Sequence, residues 1–320
     1  MGAILLAMEP ESLDKSYIEA IRALAPDMPL LITQDHDEIA AALDDIEIAV
    51  AGFPRDLLPK ARRLRWYQQW GAGADWLLRQ PEAAEMDFIL TNASGVHAIP
   101  ISEHILAFML AFTRNLHQAI RAQAKHHWYR MAREEMGELA GKTMVLVGVG
   151  AIGERTASLA QALGMRVLGV RRHPEVGHPA VAAMYGADQL MTVLPLADFL
   201  VLTIPLTRET RHMIGEAELR AMKRSAIIIN IGRGGTIDEQ ALIRALQEGW
   251  IAGAGLDVFE REPLPADSPL WDMPNVIITS HYSGRTPHYL ERGMEIFLDN
   301  LRRYRAGEPL RNVVDKKLGY

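Results

Sequence analysis

Short apolar runs alternate with segments of helical periodicity along most of the chain. The strand-like runs lie at residues 3–8, 46–53, 64–69, 88–91, 144–147, 166–170, 199–204, 226–230, 252–256 and 276–279. Helical periodicity between them is clearest at residues 239–247, whose apolar side chains fall on one face. Since strands that alternate with helices form parallel sheets, the pattern predicts an α/β protein.

One long helical stretch interrupts the alternation at residues 102–114 and continues towards residue 133. We interpret it as the segment that crosses between two domains; an amphipathic helix packed on its own domain is the alternative. Residues 289–300 are also amphipathic and follow the last strand, so we expect the chain to return to its first domain.

This order predicts two doubly wound parallel-sheet domains, Rossmann-like or flavodoxin-like, and 320 residues suit two domains. We expect a discontinuous substrate-binding domain at residues 1–96 and 288–320. A dinucleotide-binding domain at residues 97–287 would be inserted into it.

A glycine motif lies near the middle of the chain, directly after an apolar run. The sequence GVGAIG at residues 148–153 has the form G-x-G-x-x-G and precedes a helix-compatible run. Gly148 would make the tight turn, Gly150 would let the backbone approach a pyrophosphate, and Gly153 would let the helix pack on the strand. The phosphates would lie at a helix N-terminus, so the motif predicts a dinucleotide site; a glycine-rich turn without a ligand is the alternative.

Composition and charge argue against several other classes of protein. The formal net charge of −6 disfavours nucleic acid or anionic membrane as a partner, and the absence of cysteine excludes disulfides and thiolate chemistry. The sequence has no apolar run of about 18 residues that would span a membrane, and its apolar N-terminus has the pattern of a first strand rather than a signal peptide. We expect a soluble, cytoplasmic protein.

Adjacent pairs of potential metal ligands occur twice, at Glu103-His104 and at His126-His127. Neighbours on a helix point away from each other, so neither pair makes a chelating face. We therefore predict no metal site.

Three charged residues follow three different strands. Arg233 lies in a glycine-rich loop, Glu262 follows the next strand, and His281 follows the last one. Ligands of open α/β sheets bind beyond the carboxyl ends of the strands, so we expect these residues to meet there. Taken singly, each has a structural explanation, as a surface ion-pair former, a solvated acid and a strand-end histidine. After a dinucleotide motif, they instead suggest an acid/base pair with an anion clamp.

The order of motifs resembles one family along essentially the whole chain. After G-x-G-x-x-G come N-x-G-R-G-G, then G-L-D-V-F-E-x-E-P-L-P, then a strand ending in S-H. Together with GAGAD at residues 71–75, these motifs are similar to those of the D-isomer-specific 2-hydroxyacid dehydrogenases. The resemblance implies that Arg233, Glu262 and His281 are the catalytic residues. Glu260 does not match the family's motif, and we expect it to face solvent.

This resemblance implies reduction of a small 2-keto acid such as glyoxylate or hydroxypyruvate to the D-2-hydroxy acid. His281 would protonate the carbonyl oxygen, with Glu262 orienting its ring and favouring the imidazolium. Arg233 would hold the substrate carboxylate. Backbone N–H groups of Ala72 and Gly73 would also bind it, an ordinary turn being the alternative. Members of the family are commonly homodimers, which we expect here.

The resemblance also implies the cofactor contacts. Besides the three glycines these are Ala151, Ile152, Pro205, Thr210, Ile231, Gly232, Arg233, Asp257, His281 and Gly284. Asp257 would meet the nicotinamide amide; an acid that only stabilises a turn is the alternative.

Two arginines point to the phosphorylated cofactor. NAD sites carry Asp or Glu at the end of the second strand, to accept the ribose 2′-hydroxyl. Here that strand ends in Arg171-Arg172, which would suit a 2′-phosphate. We predict NADP, with NAD possible; a pair of solvated surface arginines is the alternative.

Two other functions remain open. A phosphoglycerate-type NAD dehydrogenase would share these motifs, although such chains often carry an extra regulatory domain. A dinucleotide-sensing module resembling the C-terminal-binding corepressors would share the fold without turnover. Formate dehydrogenases are disfavoured, because they typically pair their histidine with glutamine where this chain has Glu262.

Overall fold

The computed structural model describes residues 2–319 and divides the chain into two units. The first comprises Met1–Val96 and Thr286–Tyr320, and the second comprises His97–Arg285. The chain leaves the first unit after Val96 and returns to it at Thr286, so the second unit is inserted into the first.

The strands are β1 (Ala3–Ala7), β2 (Leu30–Ile32), β3 (Ile46–Ala51), β4 (Trp66–Gln68), β5 (Ile89–Thr91), β6 (Thr143–Val147), β7 (Arg166–Val170), β8 (Ala183–Tyr185), β9 (Phe199–Leu202), β10 (Ile227–Asn230), β11 (Gly253–Leu256) and β12 (Val276–Ile278). The α-helices are α1 (Lys15–Leu24), α2 (His36–Ala41), α3 (Ala98–Thr113), α4 (Leu116–Ala124), α5 (Ala151–Ala162), α6 (Leu190–Val193), α7 (Glu216–Ala221), α8 (Glu239–Gln247) and α9 (Tyr289–Ala306).

The first unit is a five-stranded parallel sheet in the order β2-β1-β3-β4-β5. This is the flavodoxin-like strand order. Helix α9 returns from the second unit and packs beside α1. Its Phe297 is fully buried against Trp66 of β4, with ring centroids 5.6 Å apart. The predicted return of residues 289–300 is confirmed.

A seven-stranded parallel sheet forms the second unit, in the order β12-β11-β10-β9-β6-β7-β8. From β6 the chain winds outward first through β7 and β8, then in the other direction through β9 to β12. The carboxyl ends of β6 and β9 therefore form the switch point at which such sheets bind ligands. The predicted α/β class with two doubly wound sheets is confirmed.

The long helical stretch predicted between the domains is wrong in its extent. The structure has two helices, α3 and α4, separated by Asn115 in the left-handed conformation (φ +52°), and α4 ends at Ala124. A side chain such as that of Asn115 tolerates this conformation and breaks the helix. Helix α3 packs on α5 and β10 within the second unit, which is the alternative of a helix packed on its own domain.

Glycines in β11 make room for α3. A Cβ on Gly255 would lie 2.9 Å from the ring of Phe108, and one on Gly253 would lie 3.1 Å from the ring of Phe112. Both phenylalanines belong to α3, so the strand's small residues let the helix lie close to the sheet.

Two short edge strands, β2 and β8, were not predicted. Each has three residues and is half-buried along its length, so neither has the continuous apolar run of the central strands. Among the described residues, no helix has the length and hydropathy needed to cross a membrane.

Candidate active site

The glycine motif forms the loop between β6 and α5. Gly148 has φ +100°, and a Cβ there would lie 2.7 Å from Thr203 Oγ1. A Cβ on Gly153 would lie 2.2 Å from the carbonyl oxygen of Gly148, so only glycine lets α5 begin this close to the strand. Over Gly150 the space is open, since no described atom lies within 4 Å of an added Cβ.

This geometry fits a dinucleotide pyrophosphate. Gly150 is the N-cap of α5, followed by Ala151 and Ile152 in the first turn. Backbone N–H groups of a first helical turn point outward along the axis, and the helix dipole favours an anion there. The open space over Gly150 is where a phosphate would approach the backbone.

Arg171 and Arg172 follow β7, the neighbour of β6. The Arg171 guanidinium donates to the carbonyl oxygen of Val176 (3.2 Å). The Arg172 guanidinium contacts the Glu209 carboxylate at 2.5 Å; the Arg172 side chain is partly exposed and that of Glu209 is largely exposed. Glu209 lies in the loop that follows β9, so this pair joins the two loops on either side of the glycine motif.

The loop after β9 is held by its own threonines. The Thr210 hydroxyl donates to the carbonyl oxygen of Pro205 (2.7 Å) and accepts from the N–H of Thr207 (2.8 Å). Thr210 therefore shapes the loop around Pro205, a role that the sequence did not suggest.

Arg233 lies in a loop fixed by a buried asparagine. Asn230, at the end of β10, accepts from the N–H of Gly232 (3.0 Å) and donates to the carbonyl oxygen of Arg233 (3.0 Å). Thr236 donates to the same carbonyl (2.7 Å). The preceding residue, Ile231, is buried. A Cβ on Gly232 would lie 2.6 Å from the carbonyl oxygen of Ile204, in the loop after the neighbouring strand β9.

Asp257, at the end of β11, holds the segment that contains His281. Its buried carboxylate accepts from the Thr279 hydroxyl (2.6 Å) and from the N–H groups of Tyr282 and Ser283 (3.1 Å each). Its carbonyl oxygen accepts from the N–H of His281 (2.8 Å). Asp257 thus stabilises the turn that carries His281, and its contact with the nicotinamide amide stays a prediction.

His281 and Glu262 form a direct pair. The Nδ1 atom of His281 lies 2.7 Å from Oε2 of Glu262, and both side chains are partly exposed. The other carboxylate oxygen, Oε1, accepts from the N–H of Phe259 (3.0 Å). His281 has φ +52°, a conformation uncommon for a residue with a Cβ and held here by the contacts to Asp257. The histidine is therefore fixed in both backbone and ring.

Glu260 is exposed, as the sequence suggested, but it is not isolated. Its carboxylate lies 2.6 Å from Nε2 of His212, and its N–H donates to the Glu239 carboxylate (3.1 Å). Burial raises the pKa of Glu239 above its ordinary value, and the nearby Glu260 charge adds to this. These contacts fasten the segment that leads into Glu262.

Two further histidines make contacts that the sequence did not suggest, since His97 was not singled out and His104 was considered only as part of a metal-ligand pair. The Nδ1–H of His97 donates to the carbonyl oxygen of Gly284 (3.1 Å), which joins the two ends of the second unit. His104 lies 3.1 Å from the Thr279 hydroxyl, which itself donates to Asp257. Burial lowers the pKa of both histidines, and the Arg233 charge lowers that of His97 further.

Ala72 and Gly73 follow β4 at the carboxyl edge of the first unit's sheet. The carbonyl oxygen of Ala72 accepts from the Asn92 side chain (2.8 Å), and that of Gly73 accepts from the Gln69 side chain (2.5 Å). Both residues are partly exposed.

The second unit thus gathers most of the proposed site at one edge of its sheet. Arg233, Glu262 and His281 follow the adjacent strands β10, β11 and β12, and the glycine motif follows β6 in the same sheet. The arrangement combines a histidine–carboxylate pair, a guanidinium and a helix N-terminus, which together suit hydride transfer coupled to proton transfer.

Comparison with known proteins agrees with this chemistry. The family model for the D-isomer specific 2-hydroxyacid dehydrogenase, NAD binding domain, matches residues 106–283. A glyoxylate reductase from Korarchaeum cryptofilum is 36% identical over 273 residues, which cover 82% of this chain and 80% of that protein. The chain belongs to the D-isomer specific 2-hydroxyacid dehydrogenase family. It is an oxidoreductase that acts on the CH–OH group of donors with NAD(P).

Other members of the family are similar to this chain, but their own lengths differ. A D-3-phosphoglycerate dehydrogenase from Methanocaldococcus jannaschii is 34% identical over 283 residues, 87% of this chain but 53% of that protein. The chain thus spans about half the length of that relative. The NADPH-dependent glyoxylate/hydroxypyruvate reductase of Sinorhizobium meliloti, solved with NADP and sulfate, is 29% identical, covers 100% of both chains and has a TM-score of 0.84.

Proposed function

We propose that this dehydrogenase reduces small 2-keto acids to D-2-hydroxy acids with NADPH, and that glyoxylate and hydroxypyruvate are among its substrates. The observation that carries the proposal is the 2.7 Å contact between His281 and Glu262 in the sheet that also carries the glycine motif. The relatives named for glyoxylate reduction support the choice of substrates.

Three side chains of the second unit perform the proton transfer and hold the substrate. When bound, the nicotinamide supplies the hydride for the carbonyl carbon. Because Nδ1 of His281 is held by Glu262, Nε2 is the ring nitrogen that delivers a proton to the carbonyl oxygen. Arg233 binds the substrate carboxylate and stabilises negative charge that develops on the oxygen. In the opposite direction, neutral His281 accepts the hydroxyl proton.

Backbone groups of the first unit contribute to substrate binding in this proposal. The N–H groups of Ala72 and Gly73 donate to the substrate carboxylate. This assigns substrate binding to residues 1–96 and 288–320 and cofactor binding to residues 97–287.

The cofactor contacts follow the sequence prediction. Gly148, Gly150, Ala151, Ile152 and Gly153 surround the pyrophosphate. The nicotinamide half is lined by Pro205, Thr210, Ile231, Gly232, Arg233, Asp257, His281 and Gly284.

Arg171 and Arg172 bind the 2′-phosphate, which makes NADPH the preferred cofactor and leaves NADH usable. Their place directly after β7 supports this, since the second strand of such a sheet ends near the adenosine ribose. The acceptor already beside Arg172 is the Glu209 carboxylate, which must give way to a phosphate.

We further propose that the enzyme is a homodimer and acts in the cytoplasm, where a freely exchanging dinucleotide is available. Apolar side chains of α4 and of the segment after it support the dimer: Leu116, Ile120 and Trp128 are exposed, Trp128 by 87%. Exposed apolar groups clustered on one segment commonly mark an interface. A monomer in sedimentation experiments across the micromolar range would contradict this proposal.

The function is tested by mixing the purified chain with NADPH or NADH and a panel of 2-keto acids, and following the loss of reduced-nicotinamide absorbance. We expect turnover, faster with NADPH, and a loss of about 10²–10⁴-fold in kcat for His281→Asn. His288 is a matched control, because it also pairs with a glutamate (Glu291, 3.0 Å) but belongs to the first unit and matches none of the motifs. His288→Asn should keep full activity.

The outcomes separate the alternatives. If no keto acid is turned over while NADPH still binds, the reductase function is refuted and a dinucleotide-sensing module is favoured. A clear preference for 3-phosphohydroxypyruvate with NADH would favour the phosphoglycerate-type dehydrogenase. Full activity of His281→Asn would refute the assignment of His281 as the general acid.

A further inference from the structure

The loop after β4 has its carbonyl groups held by side-chain amides. Nε2 of Gln69 donates to the carbonyl oxygens of Gly71 (2.9 Å) and Gly73 (2.5 Å). Nδ2 of Asn92 donates to the carbonyl oxygen between them, that of Ala72 (2.8 Å). Three consecutive carbonyls are therefore bound by two amide groups.

The orientation of the Gln69 amide is set by a tryptophan. Its Oε1 accepts from Nε1–H of Trp76 at 2.7 Å. An indole N–H can only donate, so the oxygen end of the amide must face Trp76 and the NH₂ end must face the loop. Gln69 and Trp76 are both buried, which prevents water from replacing either partner.

Asn92 is oriented in the same way. Its Oδ1 accepts from the backbone N–H of Ser94 (3.0 Å), which again can only donate. The NH₂ end of Asn92 is thereby turned to Ala72. Asn92 is itself buried, so the structure contains two amides whose direction cannot reverse without losing a hydrogen bond.

The geometry of the peptide group determines where the N–H groups of this loop point. In a planar trans peptide, the C=O of one residue and the N–H of the next point in opposite directions. Because the carbonyls of Gly71 and Ala72 are drawn to the amides, the N–H groups of Ala72 and Gly73 point away from them. Among residues 2–319, no atom accepts a hydrogen bond from these two N–H groups.

We propose that Gln69, Trp76 and Asn92 are positioning residues for the reaction, which orient the N–H groups of Ala72 and Gly73 toward the substrate carboxylate. The inference rests on the proposed function, since it presumes that this carboxylate binds at the loop. The loop recognises an anion without a cation of its own, because aligned N–H dipoles attract negative charge. In addition to Arg233, the direction of these two amides then contributes to the selectivity for a carboxylate over a neutral group.

A pair of methionine substitutions tests the role of Gln69. Gln69→Met keeps the length of the side chain and removes both donors to the loop. Gln68 offers the control: it is fully buried, its amide oxygen accepts from Thr91 and Asn300, and its NH₂ group donates to the carbonyl oxygen of Gln69 (3.2 Å) and to none of the Gly71, Ala72 and Gly73 carbonyls. We expect Gln69→Met to raise KM for the keto acid about ten-fold, with kcat and the KM for NADPH nearly unchanged. Gln68→Met should lower the melting temperature at least as much but leave the keto-acid KM unchanged.

The role of Trp76 is tested by removing only its N–H. Trp76→Phe frees Oε1 of Gln69, so the amide can turn its oxygen to the loop. Trp66→Phe is the control, because the Trp66 N–H bonds to Thr91 (2.7 Å) rather than to Gln69. We expect Trp76→Phe to raise the keto-acid KM, and the double variant with Gln69→Met to be no worse than Gln69→Met alone, since both act through one amide.

A second measurement distinguishes orientation from loss of structure. The ratio of kcat/KM for glyoxylate to that for a neutral aldehyde of similar size should fall in Gln69→Met and Trp76→Phe but not in the controls. Equal ratios in all variants, or equal rises in KM for the test and control variants, would overturn the inference while leaving the reductase function intact. Absence of keto-acid turnover in the unaltered chain would overturn the function itself. In that event, unchanged oxamate binding in Gln69→Met by calorimetry would overturn the inference, and weakened binding would support it.

Discussion

Gly234→Ala is expected to inactivate the enzyme through the backbone. Gly234 follows Arg233, the residue proposed to bind the substrate carboxylate, and an added Cβ would lie 1.9 Å from the carbonyl carbon of Phe259 and 2.5 Å from the N–H nitrogen of Glu260. Ordinary contacts begin at 3.4 Å, so the two backbones must separate by more than an ångström. One of them carries Arg233 and the other leads to Glu262, which is held by the N–H of Phe259.

The expected magnitude follows from that displacement. A shift on the order of 1 Å in a catalytic group costs about 10²-fold in rate, and overpacking of a filled site costs about 1–3 kcal/mol of stability. We therefore expect kcat/KM for glyoxylate to fall about 100-fold and the melting temperature to fall by several degrees. Both are measured on the purified variant, by NADPH oxidation and by calorimetry.

Two other glycine positions serve as controls for Gly234→Ala. A Cβ on Gly235 would meet the side chain of Leu206 at 3.3 Å and the Arg211 guanidinium at 3.9 Å, and no backbone atom is among its three nearest neighbours, so Gly235→Ala should be far milder. At Gly177 no described atom lies within 4 Å of the added Cβ, so Gly177→Ala should behave as the unaltered chain. If Gly234→Ala kept kcat/KM within about two-fold and an unchanged melting temperature, the coupling of the two loops would be refuted.

Two further predictions concern charge. Burial holds the pKa of His97 and His104 below the ordinary value near 6.5, against the attraction of Asp257 for a proton on His104. As the pH falls below about 6.5, each of these two histidines binds more protons in the unfolded chain than in the folded one, so their contribution lowers the free energy of unfolding there. His117 contributes in the same direction, and His36, whose pKa is raised, contributes in the opposite one. Calorimetry between pH 5.5 and 8 should therefore show a smaller loss of stability at low pH for His104→Gln than for the unaltered chain, and an equal loss would contradict the assignment. The Glu209 carboxylate lies 2.5 Å from the Arg172 guanidinium, and in the proposed cofactor site it would compete with the 2′-phosphate. Glu209→Gln should therefore lower the KM for NADPH a few-fold and that for NADH little, whereas Arg172→Ala should raise the KM for NADPH selectively. Equal effects on both cofactors would show that these residues do not bind the phosphate.

The central strands and the glycine motif were predictable because their physical requirements are local. Buried parallel strands need continuous apolar runs, and β1, β6, β9 and β10 have them. The tight turn at Gly148 needs a residue that tolerates positive φ, and the sequence supplies glycine there. Edge strands such as β2 lack that signal, because three half-buried residues need no pattern.

The supporting contacts of the site could not be predicted in this way. Nothing in the sequence shows that Thr279 bonds to Asp257, or that the amide of Gln69 faces Trp76. These hydrogen bonds each join two single atoms of different segments. The residues that flank a threonine or glutamine in the sequence do not show whether it forms such a bond. The break at Asn115 was missed for a related reason, since asparagine tolerates a left-handed turn without requiring one.

The sequence by itself determined the α/β class, the insertion of one unit into the other and the dinucleotide motif, and it singled out the histidine, glutamate and arginine that we propose for the chemistry. Those follow from periodicity and from the order of motifs along the chain. Only the tertiary structure decided which carboxylate oxygen of Glu262 holds His281, that Asp257 fixes the segment after β12, and that two amides turn the Gly71–Gly73 carbonyls away from their neighbouring N–H groups. The physical reason is that hydrogen bonds depend on direction and on distances of about 3 Å, which are set when separate strands and loops come together and are not encoded at any one position.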